Sequence, residues 1–151
     1  MAYWLMKSEP EEFSIEDLAA REREPWTGVR NYQARNFMRD QMQIGDGVLF
    51  YHSNCAEPGI VGIARVASAA YPDPTQFDPD SDYFDPKASA SAPRWFLIDV
   101  AFERRLKRTL GLPELRQMSA ALGDFPLLAR GNRLSVLPVS DSQWQILTTL
   151  A

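Results

Sequence analysis

A single cysteine and a single histidine stand among the 151 residues of this chain. Cys55 therefore has no partner for an intramolecular disulfide, and a zinc ribbon or finger built on several cysteines is excluded. His52 lies three residues before it, but a metal site needs three or four ligands and a lone loop thiol is usually inert, so a packed, hydrogen-bonded pair is the plainer expectation. The eight glycines never fall into a G-x-G-x-x-G or G-x-x-x-x-G-K-S/T spacing, and no G-x-S-x-G elbow marks a serine nucleophile. No metal, no cofactor and no catalytic residue are expected. Positive charge is also scarce, since a formal net charge of -4 argues against a salt-driven coat for nucleic acid. Long apolar runs are missing too. The block Tyr3 to Met6 is too short for a signal peptide's apolar region, and nothing later approaches the roughly 20 residues that span a bilayer. A soluble protein of the cytoplasm, with no membrane partner, is the expectation.

What is present is an aromatic share of 11%, with four Trp, five Tyr and eight Phe, more than enough for a core in a chain this size. The charge is segregated. Residues 94–133 hold eight basic side chains, Arg94, Arg104, Arg105, Lys107, Arg108, Arg116, Arg130 and Arg133, against four acidic ones, Asp99, Glu103, Glu114 and Asp124. Arginine supplies most of the cations, and it suits planar, bidentate or stacked contacts better than diffuse attraction.

With no repeat and no Gly/Ser linker, residues 1–151 read as one domain. Strands are expected at 3–7, 48–53, 60–69, 95–102 and 133–139 from their apolar and aromatic content. In the third of these, Ile60, Gly62, Ala64 and Val66 would share one face and Val61, Ile63 and Arg65 the other. Ser14 with Asp17 predicts a capping box opening a helix through about residue 23; Asn31 predicts a helix over 32–41 with Arg35 and Arg39 on one face; Ser140 with Gln143 opens a last helix over 141–150. Short helical turns are expected at 112–118 and 125–130. Residues 71–94 carry five Pro and five Asp and predict a long ordered loop, while Arg104 to Arg108 predict a solvated basic extension. Without regular beta-alpha-beta alternation, the fold class is α+β: a small mixed β-barrel of about five to six strands with flanking short helices.

Four polar-aromatic clusters fall at strand ends or loops: Lys7-Ser8-Glu9-Pro10, Trp26 to Tyr32, Tyr51-His52-Ser53-Asn54, and Tyr71-Pro72-Asp73. If they converge, Trp26, Tyr51 and Tyr71 supply flat faces, and Ser8, Glu9, Asn31, Ser53 and Asn54 supply directional donors and acceptors. Recognition of a planar heterocycle needs that combination. Each cluster also has a plain reading, with Trp26 as core filler, Asn31 as a helix cap, and Lys7 with Glu9 as a surface ion pair.

The segments YWLMKSEP (3–10), WTGVRNYQARNFMR (26–39), IGDGVLFYHSN (44–54), GIVGIARV (59–66), AYPDPTQFDPDSDYFDPK (70–87), PRWFLIDVAF (93–102) and RLSVLPVS (133–140) resemble, in order, the EVE domain family. The resemblance implies a PUA-like fold and a non-catalytic reader that binds a modified nucleobase. The same superfamily contains readers of N6-methyladenine in RNA and of modified cytosine in DNA. The implied partner is a nucleic acid carrying a modified base, with 5-methylcytosine in DNA favoured, and RNA or a modified nucleoside as alternatives; protein partners are not implied. By that analogy Trp26 is a cage wall, Lys7 and Ser8 line the pocket, and Asn31, Tyr51, His52, Ser53 and Asn54 frame the base. Glu9 adds an acceptor, Arg30 stands at the pocket, and Arg35, Arg39 and Arg94 contact the backbone. Trp26→Ala is expected to abolish binding while leaving the fold intact. Two other readings stay open: a small hydrolase acting on a modified nucleoside, with Lys7 and Glu9 as its acid-base pair, and a protein-interaction module using the loop 71–87.

Overall fold

The computed structural model describes residues 1–150. Strand β1 (Tyr3–Ser8) sends Trp4 and Met6 to one side and Leu5 to the other, and all three are buried. A strand covered on both faces reads as a continuous apolar run rather than an alternating one. The chain then crosses over through helix α1 (Ile15–Arg21), strand β2 (Arg23–Pro25), helix α2 (Tyr32–Asn36) and a π turn (Phe37–Gln41) to reach β3 (Gly47–His52). That crossover lets β1 and β3 pair in parallel, which no hairpin allows. The register runs from Tyr3 opposite Gly47 to Ser8 opposite His52, and the Ser53 N–H continues it by donating to the Ser8 carbonyl at 3.0 Å. Lys7-Ser8-Glu9 and His52-Ser53-Asn54 are thereby set side by side.

Beyond β3 come β4 (Gly59–Val66), β5 (Tyr71–Pro72), a 3-10 turn (Pro74–Phe77), β6 (Phe96–Leu97), β7 (Asp99–Gly111), α3 (Leu112–Gln117), α4 (Ser119–Leu122), a second 3-10 turn (Pro126–Leu128), β8 (Val136–Val139) and α5 (Asp141–Leu150). Six strands form one mixed sheet in the order β2-β7-β4-β3-β1-β8, curled into a half-barrel, and β5 and β6 make a separate pair. One face, carrying Trp4, Met6, Val48, Phe50 and Ala64, packs on Ile15 and Leu18 of α1, Ala34 of α2 and Met38. The other, with Leu5, Leu49, Ile60, Ile63 and Leu110, packs on Leu115, Leu122, Trp144 and Leu147 of the C-terminal helices. No helix of the described residues is long and apolar enough to cross a membrane.

Several local expectations shift for identifiable reasons. The Ser14–Asp17 capping box is present, but α1 ends at Arg21 because Glu22 takes a φ of 67° and turns the chain into β2. The helix over 32–41 divides into α2, capped by Asn31, and the π turn. The alternation expected along β4 fails because of a bulge: Phe50 pairs with Gly62 and Tyr51 with Ile60, leaving Val61 extra. Ile60 therefore joins Ile63 on one face, while Gly62 meets α1, where an added Cβ would lie 2.4 Å from Ile15 Cδ1. Arg104 to Arg108 are not an extension beyond a strand but the middle of β7, a 13-residue strand with that stretch exposed except for half-buried Leu106.

Candidate functional site

A cleft of about 720 Å3 opens where β1 and β3 end. Its walls are Lys7, Ser8 and Glu9 from the end of β1, Phe13 and Arg21 around α1, the segment from Glu24 to Arg30, Ser53 beyond β3, Asp82 and Tyr83 from the long loop, and Arg133 and Ser135 ahead of β8.

The β1 end is held from three directions. Lys7 donates its N–H to the Ser135 carbonyl at 2.8 Å, Ser8 Oγ donates to the Phe13 carbonyl at 2.7 Å, and Glu9 Oε1 accepts from Asn54 Nδ2 at 2.8 Å. Lys7 takes part in no ion pair among the described residues. Burial holds its pKa below the ordinary 10.5. Its ammonium has no carboxylate beside it and lies instead over the ring of Tyr51, its partner across the β1–β3 pair.

Trp26 is only 7% exposed. Phe13 and Phe50 meet it edge-on, with ring centroids 6.3 and 5.5 Å away, and its backbone N–H donates to the Ile98 carbonyl at 3.0 Å. The indole N–H has no protein acceptor. Every fully enclosed side-chain nitrogen and oxygen among the described residues does have a partner, so this donor opens onto the cleft. The depth of Trp26 bears on one expectation: truncating a buried Trp costs about 3–5 kcal/mol, so Trp26→Ala is expected to destabilise the fold as well as empty the cleft wall.

Tyr83 forms the facing wall. Its ring lies against Gly28, whose φ is +87° and where a Cβ would come within 2.7 Å of Tyr83 Cζ, so only glycine fits. Arg30 clamps this contact, donating to the Tyr83 carbonyl from Nη2 at 2.8 Å and to Asp73 at 3.1 Å, with its guanidinium 5.5 Å from the Tyr83 ring centroid and 5.3 Å from that of Trp95. Asp73 is buried, which alone would raise its pKa, but hydrogen bonds from Thr75, Gly28 and Arg30 outweigh burial and hold it below the ordinary value. Burial, followed by the nearby charges of Glu12 and Asp82, pushes the Tyr83 hydroxyl above its ordinary pKa, so it remains a protonated donor at neutral pH. The loop 71–94 is anchored from inside by Gln76, which is fully buried and bonds the backbone of Asp73, Arg94 and Trp95.

Of the residues singled out from the sequence, Lys7, Ser8, Glu9, Trp26, Arg30 and Ser53 meet at the cleft. The others stand elsewhere. Asn31 caps α2 through the Ala34 N–H. Tyr51 alternates to the opposite face of β3 and is buried there, 6.0 Å from Lys7 Nζ. His52 faces α1, accepting the Ile15 N–H at Nε2 at 3.1 Å; burial lowers its pKa below 6.5, with Glu16 opposing. Asn54 orients Glu9. Tyr71 turns away to donate to Asp99 at 2.5 Å, its pKa pushed up to about 12 by burial and then by that carboxylate. Arg35 and Arg94 gather on the Tyr32–Trp95 stack, whose centroids are 4.8 Å apart, and Arg39 pairs with Asp40. Sequence reasoning missed Phe13, Tyr83, Arg133 and Ser135. None of the four carries a local signal; Tyr83 reaches the cleft through its contact with the distant Gly28.

A curled mixed sheet with flanking short helices and an aromatic-polar cleft at its strand ends defines a PUA-like protein. Its family follows from comparison: the EVE domain model matches residues 2–150, and the chain belongs to that family. It is 43% identical over 166 residues to mouse "Thymocyte nuclear protein 1", covering 98% of this chain and 73% of that protein. A crystal structure of a Pseudomonas syringae protein superposes with a TM-score of 0.95 at 52% identity, covering 99% of both chains. The human THYN1 protein, solved in complex with 5-methylcytosine containing DNA, superposes with a TM-score of 0.94 at 40% identity, covering 99% of this chain and 97% of that one.

Proposed function

We propose that this chain, acting as one domain over 1–151, is a non-catalytic reader that takes a modified cytosine of DNA, most simply 5-methylcytosine, into the cleft beside Trp26. The observation that carries this reading is the convergence of the open Trp26 indole N–H, the Ser8 and Ser53 ends of the paired strands and the Asn54-held Glu9 carboxylate around an aromatic-walled cleft of about 720 Å3. Such a set matches the edge of a cytosine, which offers a carbonyl and a ring nitrogen as acceptors beside an amino donor. The 5-methylcytosine complex of the human THYN1 protein supports it from outside. Lys7, Ser8, Glu9, Trp26 and Ser53 are the base contacts in this reading, and Arg35, Arg39 and Arg94, on and beside the Tyr32–Trp95 stack, serve the nucleic-acid backbone. The cytoplasm is the compartment proposed, on the strength of the single free Cys55.

Extruding a base costs a few kcal/mol, which the pocket and phosphate contacts must offset. One buried methyl contributes about 0.8 kcal/mol, about a fourfold preference. Fluorescence anisotropy with matched oligonucleotides carrying cytosine, 5-methylcytosine, 5-hydroxymethylcytosine or N6-methyladenine tests this. The expected result is at least about fourfold tighter binding of 5-methylcytosine than of cytosine, reduced in Trp26→Phe, which keeps the core filled. Equal affinity across the panel overturns the reading; preference for a modified RNA or a free nucleoside moves the ligand class and keeps the cleft.

A further inference from the structure

Away from the cleft, the middle of β7 carries a feature that the reader function leaves unused. Arg104, Arg105, Lys107 and Arg108 are all exposed within five residues. Arg104 and Arg105 pair with Ile63 and Gly62, and beyond them the ladder is interrupted: the next partner is Ile60 with Leu110, so Val61 alone stands opposite residues 106–109. On the far side, β2 pairs with β7 only between Asp99 and Ala101, which leaves the edge open where the cations stand. Arg105 is balanced by Glu16 at 3.1 Å and Arg108 by Glu114 at 2.6 Å, pairs exposed enough to exchange for another anion at little cost. Arg104 and Lys107 pair with no carboxylate among the described residues. Beside the bulge lies a hollow of about 300 Å3 bordered by Glu16, His52, Thr109, Arg105, Lys107 and Arg108, with Arg104 next to it along the strand. Charge protects open sheet edges from pairing with one another. Protection alone, however, does not call for four charges of one sign on a chain whose net charge is -4.

We propose that this bulge is a phosphate-binding surface that grips the duplex backbone next to the base held in the cleft; it rests on the reading of the cleft as a base site. Helix α1 couples the two places. Phe13 lines the cleft, and Glu16, three residues on, pairs with Arg105. Three residues span at most about 11 Å, about three base-pair rises along the axis of B-form DNA. A strand whose nucleotide enters the cleft thus passes the bulge within a few nucleotides.

The test is the salt dependence of binding to a fluorescein-labelled duplex containing one 5-methylcytosine, for wild type, Arg104→Ala/Lys107→Ala, and Arg130→Ala as a control for net charge. Each lost phosphate contact lowers the slope of log K against log salt by about 0.9. The double variant is expected to lose about 1.8 in slope, to bind more weakly at low salt and to keep the wild-type ratio of 5-methylcytosine to cytosine affinity, while Arg130→Ala keeps the wild-type slope. An unchanged slope in the double variant overturns the surface even if wild type discriminates the base, and self-association of that variant on sedimentation with an unchanged slope assigns the cations to edge protection instead. If wild type shows no base preference but the slope still falls, the surface stands and the base reading fails. Absence of any binding by wild type overturns both.

Discussion

At the residue scale, the cleft depends on a few side chains whose partners inside the protein are deliberately incomplete. Lys7 is half buried with no carboxylate beside it, an arrangement that costs stability unless something else supplies an acceptor. Lys7→Met keeps the length and removes the charge. A hydrogen bond to a charged group contributes about 1.5–3 kcal/mol, so the substitution is expected to weaken 5-methylcytosine DNA binding by about tenfold or more while leaving the thermal midpoint unchanged or higher. Calorimetry and anisotropy on the same preparation check both halves, and a lowered midpoint with unchanged binding would make Lys7 a structural residue. These roles were partly legible in the sequence. Lys7, Ser8 and Glu9 stand where an apolar strand stops, and such ends open onto a surface. Tyr51 was not legible as a core residue on the far face, because its side is set by β3 pairing on both edges. Tyr83 depended on a contact with Gly28, 55 positions away in the chain, which no local pattern encodes.

At the scale of elements, α1 links the cleft to the rest of the sheet. Its N-terminus is held by the Ser14–Asp17 capping box and by His52 Nε2, which accepts the Ile15 N–H. Only an imidazole unprotonated at that nitrogen can accept. Burial lowers the folded-state pKa of His52 below 6.5. The unfolded chain therefore binds the proton more readily, and the contribution of this contact is complete above pH 6.5 and lost as pH falls through the folded-state value. Urea midpoints are expected to drop between pH 7.5 and pH 5.5, with a smaller drop in His52→Gln; equal drops in both proteins would mean that His52 does not couple to folding. Most element positions were legible, since caps such as Ser14, Asn31 and Ser140 announce helices locally. The bulge at Val61 and the short strand β2 were not. The first exists because Gly62 must admit Ile15 of α1 and the second because β7 offers it an edge, both facts of tertiary packing.

At the scale of the whole molecule, the parallel β1–β3 pair brings together two clusters 45 residues apart, as the Asn54–Glu9 bond records. Two hydrophobic layers fix the sheet, and the ordered loop around Asp73, Gln76 and Tyr83 closes the cleft from outside. A mixed sheet with short helices and a long ordered loop were legible in the sequence, but which strand ends meet is a property of topology. Four indoles report on this arrangement from separate places. Trp4 Nε1 donates to Asp46, Trp95 Nε1 to Asp85, Trp144 lies in the opposite core layer, and Trp26 alone faces the cleft. The most direct test is a titration of 15N-labelled protein with a duplex carrying one 5-methylcytosine, following the four indole N–H resonances. The Trp26 resonance is expected to shift strongly with the methylated duplex and less with its unmethylated match, while those of Trp4 and Trp144 stay in place. A Trp26 resonance unmoved at saturating methylated DNA would contradict a base site beside Trp26.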